Sequence, residues 1–117
     1  MWNKIKIWLD DLREAPEGWL TCRTAQEVIY WLDKDTIGYE KIEVTHISLD
    51  HDLGEIEETG YEVIKYLQEK LVNNEWNKNI PYIDCHSDNP VGRNDINLGI
   101  RAIHRLAKQR NITILEE

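Results

Sequence analysis

The stretch that decides the fold is residues 47–52, Ile-Ser-Leu-Asp-His-Asp, in which a short apolar run ends in two carboxylates and an imidazole. A similar run precedes it at residues 4–11, Lys-Ile-Lys-Ile-Trp-Leu-Asp-Asp, and a third follows at residues 80–88, Ile-Pro-Tyr-Ile-Asp-Cys-His-Ser-Asp. If these runs are parallel strands of one sheet, their carboxyl ends lie side by side, where open α/β sheets bind ligands. The sequence therefore predicts one site at three strand ends.

Helical patterns separate the predicted strands, which lie at residues 4–10, 19–23, 44–49, 81–85 and 112–115. Thr24 and Glu27 form the capping-box pattern that opens a helix, and residues 33–41 are a predicted polar connection. Two more helices, at residues 61–73 and 95–109, carry apolar residues at helical spacing. This alternation predicts an α/β fold with a doubly wound, flavodoxin-like parallel sheet of order 2-1-3-4-5.

Length and composition predict one domain over residues 1–117 and exclude several classes of protein. No run of about 18 apolar residues is present, so we expect no membrane span and no membrane partner. The N-terminus enters a strand pattern directly and does not have the shape of a signal peptide. Cys22 and Cys85 sit in apolar runs without zinc-site spacing, which indicates reduced thiols in a cytoplasmic protein.

The net charge of −8 argues against a long nucleic-acid duplex as a partner, because binding to a phosphate backbone depends on lysine and arginine. A small nucleotide or an RNA end remains compatible with this charge. A bound divalent cation can reverse the local field of an acidic cleft.

The order of polar residues resembles that of a receiver domain. Receivers carry an acidic pair after the first strand, an acceptor aspartate after the third and a serine or threonine after the fourth. Asp10 with Asp11, Asp50 and Ser87 match those positions. The loop after the first strand is too short for the usual first helix, and no fifth helix follows the last strand. The last strand also lacks the Lys-Pro pair that receivers use there, which argues against ordinary phospho-signalling.

Three motifs together resemble a branch of that superfamily, the cyclic-phosphate-processing receiver-like family. They are Trp-Leu-Asp-Asp-Leu-Arg at 8–13, Leu-Asp-His-Asp-Leu-Gly at 49–54 and His-Ser-Asp-Asn-Pro-Val-Gly-Arg at 86–93. The resemblance covers residues 4–95. It implies action on a cyclic phosphate end, in a setting such as RNA repair.

Four carboxylates at the strand ends are the candidate metal ligands: Asp10, Asp11, Asp50 and Asp52. Carboxylate oxygens are the ligands that hard divalent cations prefer, so we expect Mg²⁺ or Mn²⁺ as the cofactor. The alternative is that these residues begin solvated loops or cap the next element.

His51 and His86 are the candidate catalytic residues, since an imidazole titrates near neutral pH and serves as a general acid or base. Opening a cyclic phosphate requires a base that activates water and an acid that protonates the leaving alkoxide. His46, inside a strand pattern, and His104, on a helix flank, are interpreted as structural.

Two arginines and two small polar residues are the candidate substrate-binding groups. Arg13 and Arg93 can each hold phosphate oxygens through a bidentate fork, or form surface ion pairs instead. Ser87 and Asn89 can donate hydrogen bonds to the same phosphate. Asn89 also precedes a proline, which is a turn signal, so its role can be confined to shaping the loop.

The leading hypothesis is a metal-assisted phosphoesterase that opens an RNA 2′,3′-cyclic phosphate end or a cyclic nucleotide. The alternative is a non-catalytic receiver-like module that binds a nucleotide or a protein. A third interpretation, a signalling receiver with Asp50 as phosphoacceptor, lacks the expected lysine.

Overall fold

The computed structural model describes residues 3–37, 41–50 and 60–117 of the chain. Its elements are β1 (Asn3–Leu9), β2 (Leu20–Cys22), α1 (Ala25–Ile37), β3 (Ile42–Leu49), α2 (Tyr61–Val72), β4 (Tyr82–Cys85) and α3 (Pro90–Gln109). The strands form a parallel sheet of order β2-β1-β3-β4. The receiver-like α/β fold predicted from the sequence is thereby confirmed.

The register of the sheet brings all four strands to an end at the same level. Leu9 pairs with both Cys22 and Leu49, and Leu49 pairs with Cys85. One irregularity, between the pairs of Ile5 and Lys6, places an extra residue in β3. Because the ends are level, the residues that follow β1, β3 and β4 begin side by side along one edge.

The three described helices pack on one face of the sheet. α2 contacts both α1 and α3, and the inward-facing strand residues join their apolar side chains in one buried cluster. The handedness rule explains this, since right-handed crossovers that advance across a sheet in one direction all pass over the same face.

The second face of the sheet, called the open face below, has no helix over it in the part of the chain that the structure describes. Alternation along the strands and the register assign the following side chains to it: Lys4, Lys6, Trp8, Thr21, Glu43, His46, Ser48, Tyr82 and Asp84. Of these only Ser48 is buried, whereas the alternate residues Ile7, Leu9, Ile47 and Leu49 are fully enclosed beneath the helices.

Three boundaries differ from the predicted ones. α1 continues to Ile37 instead of giving way to a connection at residue 33, because no glycine or proline interrupts it. α3 begins at Pro90 and not at residue 95, since the Asn89 side chain caps it. The predicted strand at 112–115 makes only an isolated parallel bridge, between Ile114 and Ile80.

Both cysteines are free and buried, as the sequence predicts. Burial raises the pKa of the Cys22 thiol to about 12, so this thiol stays protonated at physiological pH. No helix in the described ranges is both long and apolar enough to cross a membrane.

Candidate functional site

Sheet-type backbone hydrogen bonds continue for one residue beyond the ends of the strands, and they align the site. The Asp10 N–H donates to the Cys22 carbonyl at 3.0 Å, and the Asp50 N–H donates to the Leu9 carbonyl at 3.0 Å. The His86 N–H donates to the Leu49 carbonyl at 2.9 Å. Asp10, Asp50 and His86 are therefore held in a row by the sheet itself.

Asp10 is a buried carboxylate, 1% exposed, with contacts to both of its oxygens. Its Oδ1 accepts the backbone N–H groups of Leu12 and Arg13, both at 2.9 Å. Its Oδ2 accepts the Arg13 Nε–H at 2.9 Å and lies 3.2 Å from His86 Nε2. Burial pushes the pKa of Asp10 upward, but these hydrogen bonds outweigh it and hold the pKa below its usual value. Asp10 is thus an ionised acceptor at neutral pH.

His86 is fixed on three sides. Its Nδ1 lies 2.7 Å from the Ser48 hydroxyl, its Nε2 contacts Asp10, and its ring stacks on Trp8 with centroids 3.8 Å apart and planes 7° apart. Burial lowers the pKa of His86 more than the nearby Asp10 and Asp50 carboxylates raise it, so the ring is neutral at neutral pH. Because ionised Asp10 only accepts, Nε2 carries the proton and Ser48 donates to Nδ1.

Two arginines hold the loop that follows β1. Arg13 joins Asp10 to the loop after β4, since its Nη2 donates to the His86 carbonyl at 3.4 Å while its side chain stays 50% exposed. Arg23 donates to the carbonyls of Asp10 and Arg13, each at 3.1 Å, and forms an ion pair with Glu14. A half-exposed guanidinium is therefore held beside the carboxylate row.

Asp50 is held between β1 and the start of α2. Its carbonyl accepts the Gly60 N–H at 3.1 Å, and its carboxylate end is largely buried. A Cβ at residue 60 would lie 2.3 Å from that carbonyl oxygen, a distance no side chain tolerates. Glycine at this position therefore lets α2 approach the Asp50 backbone.

The loop after β4 shapes the other side of the site. Asn89 Oδ1 accepts the N–H groups of Val91 and Gly92, so Asn89 is the N-cap of α3 and the following proline is its first residue. Buried Ser87 accepts the Asn89 N–H through its hydroxyl at 3.2 Å. The interpretation of Asn89 as a residue that shapes the loop fits this geometry.

Side chains of Asp10, Asp50 and His86 form a group that can hold a metal ion. Each offers one ligand atom, and these atoms all lie within 4.8 Å of one another. Two carboxylate oxygens suit hard cations, and an imidazole nitrogen extends the fit toward Mn²⁺. The Ser48 hydroxyl both donates and accepts, so it supports His86 with the proton on either nitrogen, including the form whose Nε2 lone pair is free to bind a metal.

An open cleft of about 480 Å³ lies over this edge. Its described lining consists of Asp10, Asp11, Leu12, Arg13, Asp50, Ser87, Asp88 and Asn89. Four of these residues are carboxylates and one is an arginine, so the lining is strongly acidic.

The structure thus brings most of the predicted residues together. Arg93 is an exception: it lies in the first turn of α3, exposed, and is absent from the described lining of the cleft. The expectation that it precedes the helix is wrong, because the Asn89 cap starts α3 three residues earlier. His51 and Asp52 lie outside the described residues.

The comparison with protein families agrees with this arrangement. The sequence model described as cyclic-phosphate processing receiver domain matches residues 5–102, which is most of the chain. The chain belongs to this family. Searches of curated proteins and of solved structures each found no match.

Three residues of this receiver domain were not singled out from the sequence as supports of the site: Ser48, Trp8 as a stacking partner of His86, and Arg23. For Ser48 and Trp8, the two-residue period of a strand provides a sequence signal. Trp8 is two residues before Asp10, and Ser48 is two before Asp50, so each shares a side of its strand with a site carboxylate. Arg23 has no comparable signal, since its contact depends on how the loop after β1 folds back.

Proposed function

We propose that this receiver domain is a metal-assisted phosphoesterase that opens a cyclic phosphate. The substrate is an RNA 2′,3′-cyclic phosphate end or a small cyclic nucleotide. The observation that carries the proposal is the Asp10, Asp50 and His86 group, whose ligand atoms lie within 4.8 Å of one another, with Asp10 and Asp50 lining an open cleft. Membership in a cyclic-phosphate processing family supports the choice of substrate.

The charge of the cleft supports the need for a cation. Four carboxylates and one arginine repel a phosphate diester, and a divalent ion offsets that repulsion. Asp10 and Asp50 would hold Mg²⁺ or Mn²⁺, with Asp11 at the rim and Asp52 as further proposed ligands. When bound, the ion supplies charge stabilisation to the phosphoryl oxygens and lowers the pKa of bound water.

Arg13 is the proposed phosphate-binding arginine. Its Nε is engaged with Asp10, while half of the side chain remains open to the cleft. Ser87 and Asn89 at the opposite wall are proposed hydrogen-bond partners, and Arg93 is a proposed contact at longer range. Leu12, 83% exposed in the same lining, offers an apolar surface to a ribose or a base.

The reaction adds one water molecule across a phosphoester bond. A water molecule gives one proton to a base while its oxygen forms a new bond to phosphorus, the bond from phosphorus to one ribose oxygen breaks, and that oxygen takes a proton from an acid. His51 and His86 are the proposed proton-transfer groups. The contacts of His86 Nε2 with Asp10 and of its Nδ1 with Ser48 support a proton-transfer role for this ring.

The test is product formation from 2′,3′-cyclic mononucleotides, an RNA with a 2′,3′-cyclic end and 3′,5′-cyclic nucleotides, with Mg²⁺, Mn²⁺ or EDTA. We expect opening of one substrate class that EDTA abolishes. Asp10→Asn and Asp50→Asn should each lower the rate by about a hundredfold or more, since each removes a ligand charge. Asp95→Asn, a neutralised exposed carboxylate on α3, is the matched control and should leave the rate unchanged.

Measurements of turnover and of Mn²⁺ affinity distinguish a proton-transfer role of His86 from a metal-ligand role. A proton-transfer role predicts that His86→Ala loses turnover and keeps Mn²⁺ affinity, whereas a ligand role predicts loss of both. Full activity in both His51→Ala and His86→Ala would falsify the proposed chemistry.

One observation favours a second candidate function, a non-catalytic binding module. Both oxygens of Asp10 are already engaged within the chain, by Arg13, Leu12 and His86. A module that binds a ligand without turnover would retain these hydrogen bonds to Asp10. Nucleotide-dependent thermal stabilisation without product after long incubation would support it over the enzyme.

A further inference from the structure

The open face is unusual for a parallel sheet. Parallel sheets occur almost only where both faces are covered. Here α1, α2 and α3 share one face, and no element of the described ranges packs on the other. Something else is therefore expected to cover it.

The centre of the open face is aromatic. Trp19 lies beside β2 and contacts Trp8 at 6.2 Å and His46 at 6.0 Å between ring centroids, and His46 contacts Tyr82 at 5.9 Å. All four rings are only partly buried. A continuous row of large, flat side chains across three strands is the composition that protein interfaces favour.

The charges of the open face are divided between its two sides. Exposed Lys4 and Lys6 lie on β1, partly buried Glu43 lies beside Lys4 on β3, and exposed Asp84 lies on β4. Glu117 follows the bridge that places Ile114 beside Ile80, and its charge acts on both Tyr82 and His46. The face is thus basic on β1 and acidic on β3, on β4 and beyond β4, and the aromatic row crosses it.

We propose that a second copy of this chain covers the open face, in a two-fold dimer whose axis runs along the strands. This rotation places the basic side of one copy over the acidic side of the other, twice, and brings the aromatic rows together. A two-fold axis across the strands would instead place β1 over β1 and the lysines of both copies together. The charge distribution selects the first arrangement.

The area of the open face determines how tightly the proposed dimer is expected to associate. Four strands about 4.8 Å apart, two of seven and eight residues and two of three and four residues, give a face of at most roughly 20 by 20 Å. Two such faces bury roughly 800 Å² in total, the size of a weak and transient interface, so the dimer is expected to dissociate in the micromolar range or above. The proposal does not depend on the reaction proposed above.

The test is sedimentation equilibrium of the full chain from micromolar to millimolar concentration. Reversing the basic side with Lys4→Glu/Lys6→Glu, or the acidic side with Asp84→Lys/Glu117→Lys, should raise the dissociation constant by roughly tenfold or more, because like charges then face each other. An equimolar mixture of the two variants should associate as well as the wild type, since both contacts of the mixed dimer pair opposite charges.

Lys65→Glu/Lys108→Glu is the matched control, with the same change in net charge on exposed positions of α2 and α3. It should associate like the wild type. A wild-type chain that stays monomeric throughout the range overturns the proposal and leaves the face to another protein or a further segment. Failure of the mixed variants to associate also overturns it, because the basic and acidic sides would then not meet.

Discussion

The two faces of the sheet are built from alternate residues of the same strands, yet they hold different chemistry. The face under the helices carries Ile7, Leu9 and Leu49 and is fully buried. The open face carries Trp8 and Ser48, which hold the ring of His86. A shift of one residue along a strand therefore separates side chains that stabilise the fold from those that orient the site.

The largest expected effect is on stability, and it compares alanine substitutions at two neighbouring residues of β4 whose side chains lie on opposite faces of the sheet. Ile83→Ala removes a buried side chain from the core and should lower the free energy of unfolding by about 3 kcal/mol. Tyr82→Ala removes a partly exposed ring and should cost less than about 1.5 kcal/mol. Urea unfolding at low protein concentration measures both. An equal or larger cost for Tyr82→Ala would show that the open face is also a core.

A smaller effect is expected from Ser48→Ala, which removes the hydroxyl at 2.7 Å from His86 Nδ1. The stability cost should be about 1 kcal/mol, and the two ring nitrogens of His86 should change their ¹⁵N shifts as the tautomer loses its partner. Turnover, or Mn²⁺ affinity, should fall by about tenfold or more, the usual cost of losing such a partner.

A matched control for Ser48 exists in the same strand. Thr45 Oγ1 lies 2.8 Å from His46 Nδ1, an equivalent contact between a hydroxyl and an imidazole outside the cleft. Thr45→Ala should cost similar stability and leave both metal binding and turnover unchanged. Equal functional losses in the two variants would contradict a specific role for Ser48.

The sequence predicts the strand ends well, because each run of apolar residues stops at a change to carboxylates or histidine. Asp10, Asp50 and His86 follow β1, β3 and β4 directly, and a parallel sheet with level ends brings them together. Local sequence patterns were sufficient to predict these strand ends, since the strand period and the order of the elements determine which residues meet there.

The remaining features could not be predicted, because the local pattern is compatible with more than one structure or because the contact joins distant parts of the chain. An Asn-Pro pair begins a turn or caps a helix, and only the bonds from Val91 and Gly92 to Asn89 show that it caps α3. The hydrogen bond between Asp10 and His86 spans most of the chain and follows from the sheet register. The contact of Arg23 with the Asp10 carbonyl depends instead on how the loop after β1 folds back.

The smallest expected effect is on the pH dependence of stability, and it compares His104 on α3 with His46 on the open face. Burial, with help from Lys108 and Lys6 respectively, lowers the pKa of both rings below the usual 6.5. Between each lowered pKa and about 6.5 the unfolded chain binds more protons, so stability rises with pH there and falls on acidification.

His104→Gln and His46→Gln should therefore each flatten the decline in unfolding free energy between about pH 7 and pH 5. Chemical denaturation at a series of pH values measures the slope. For His104 the flattening should be the same at every protein concentration, because its ring lies on the helix side. For His46 it should grow with concentration, since a second copy that covers the open face adds to the burial of that ring. Stability that increased on acidification would contradict the lowered pKa values of both rings.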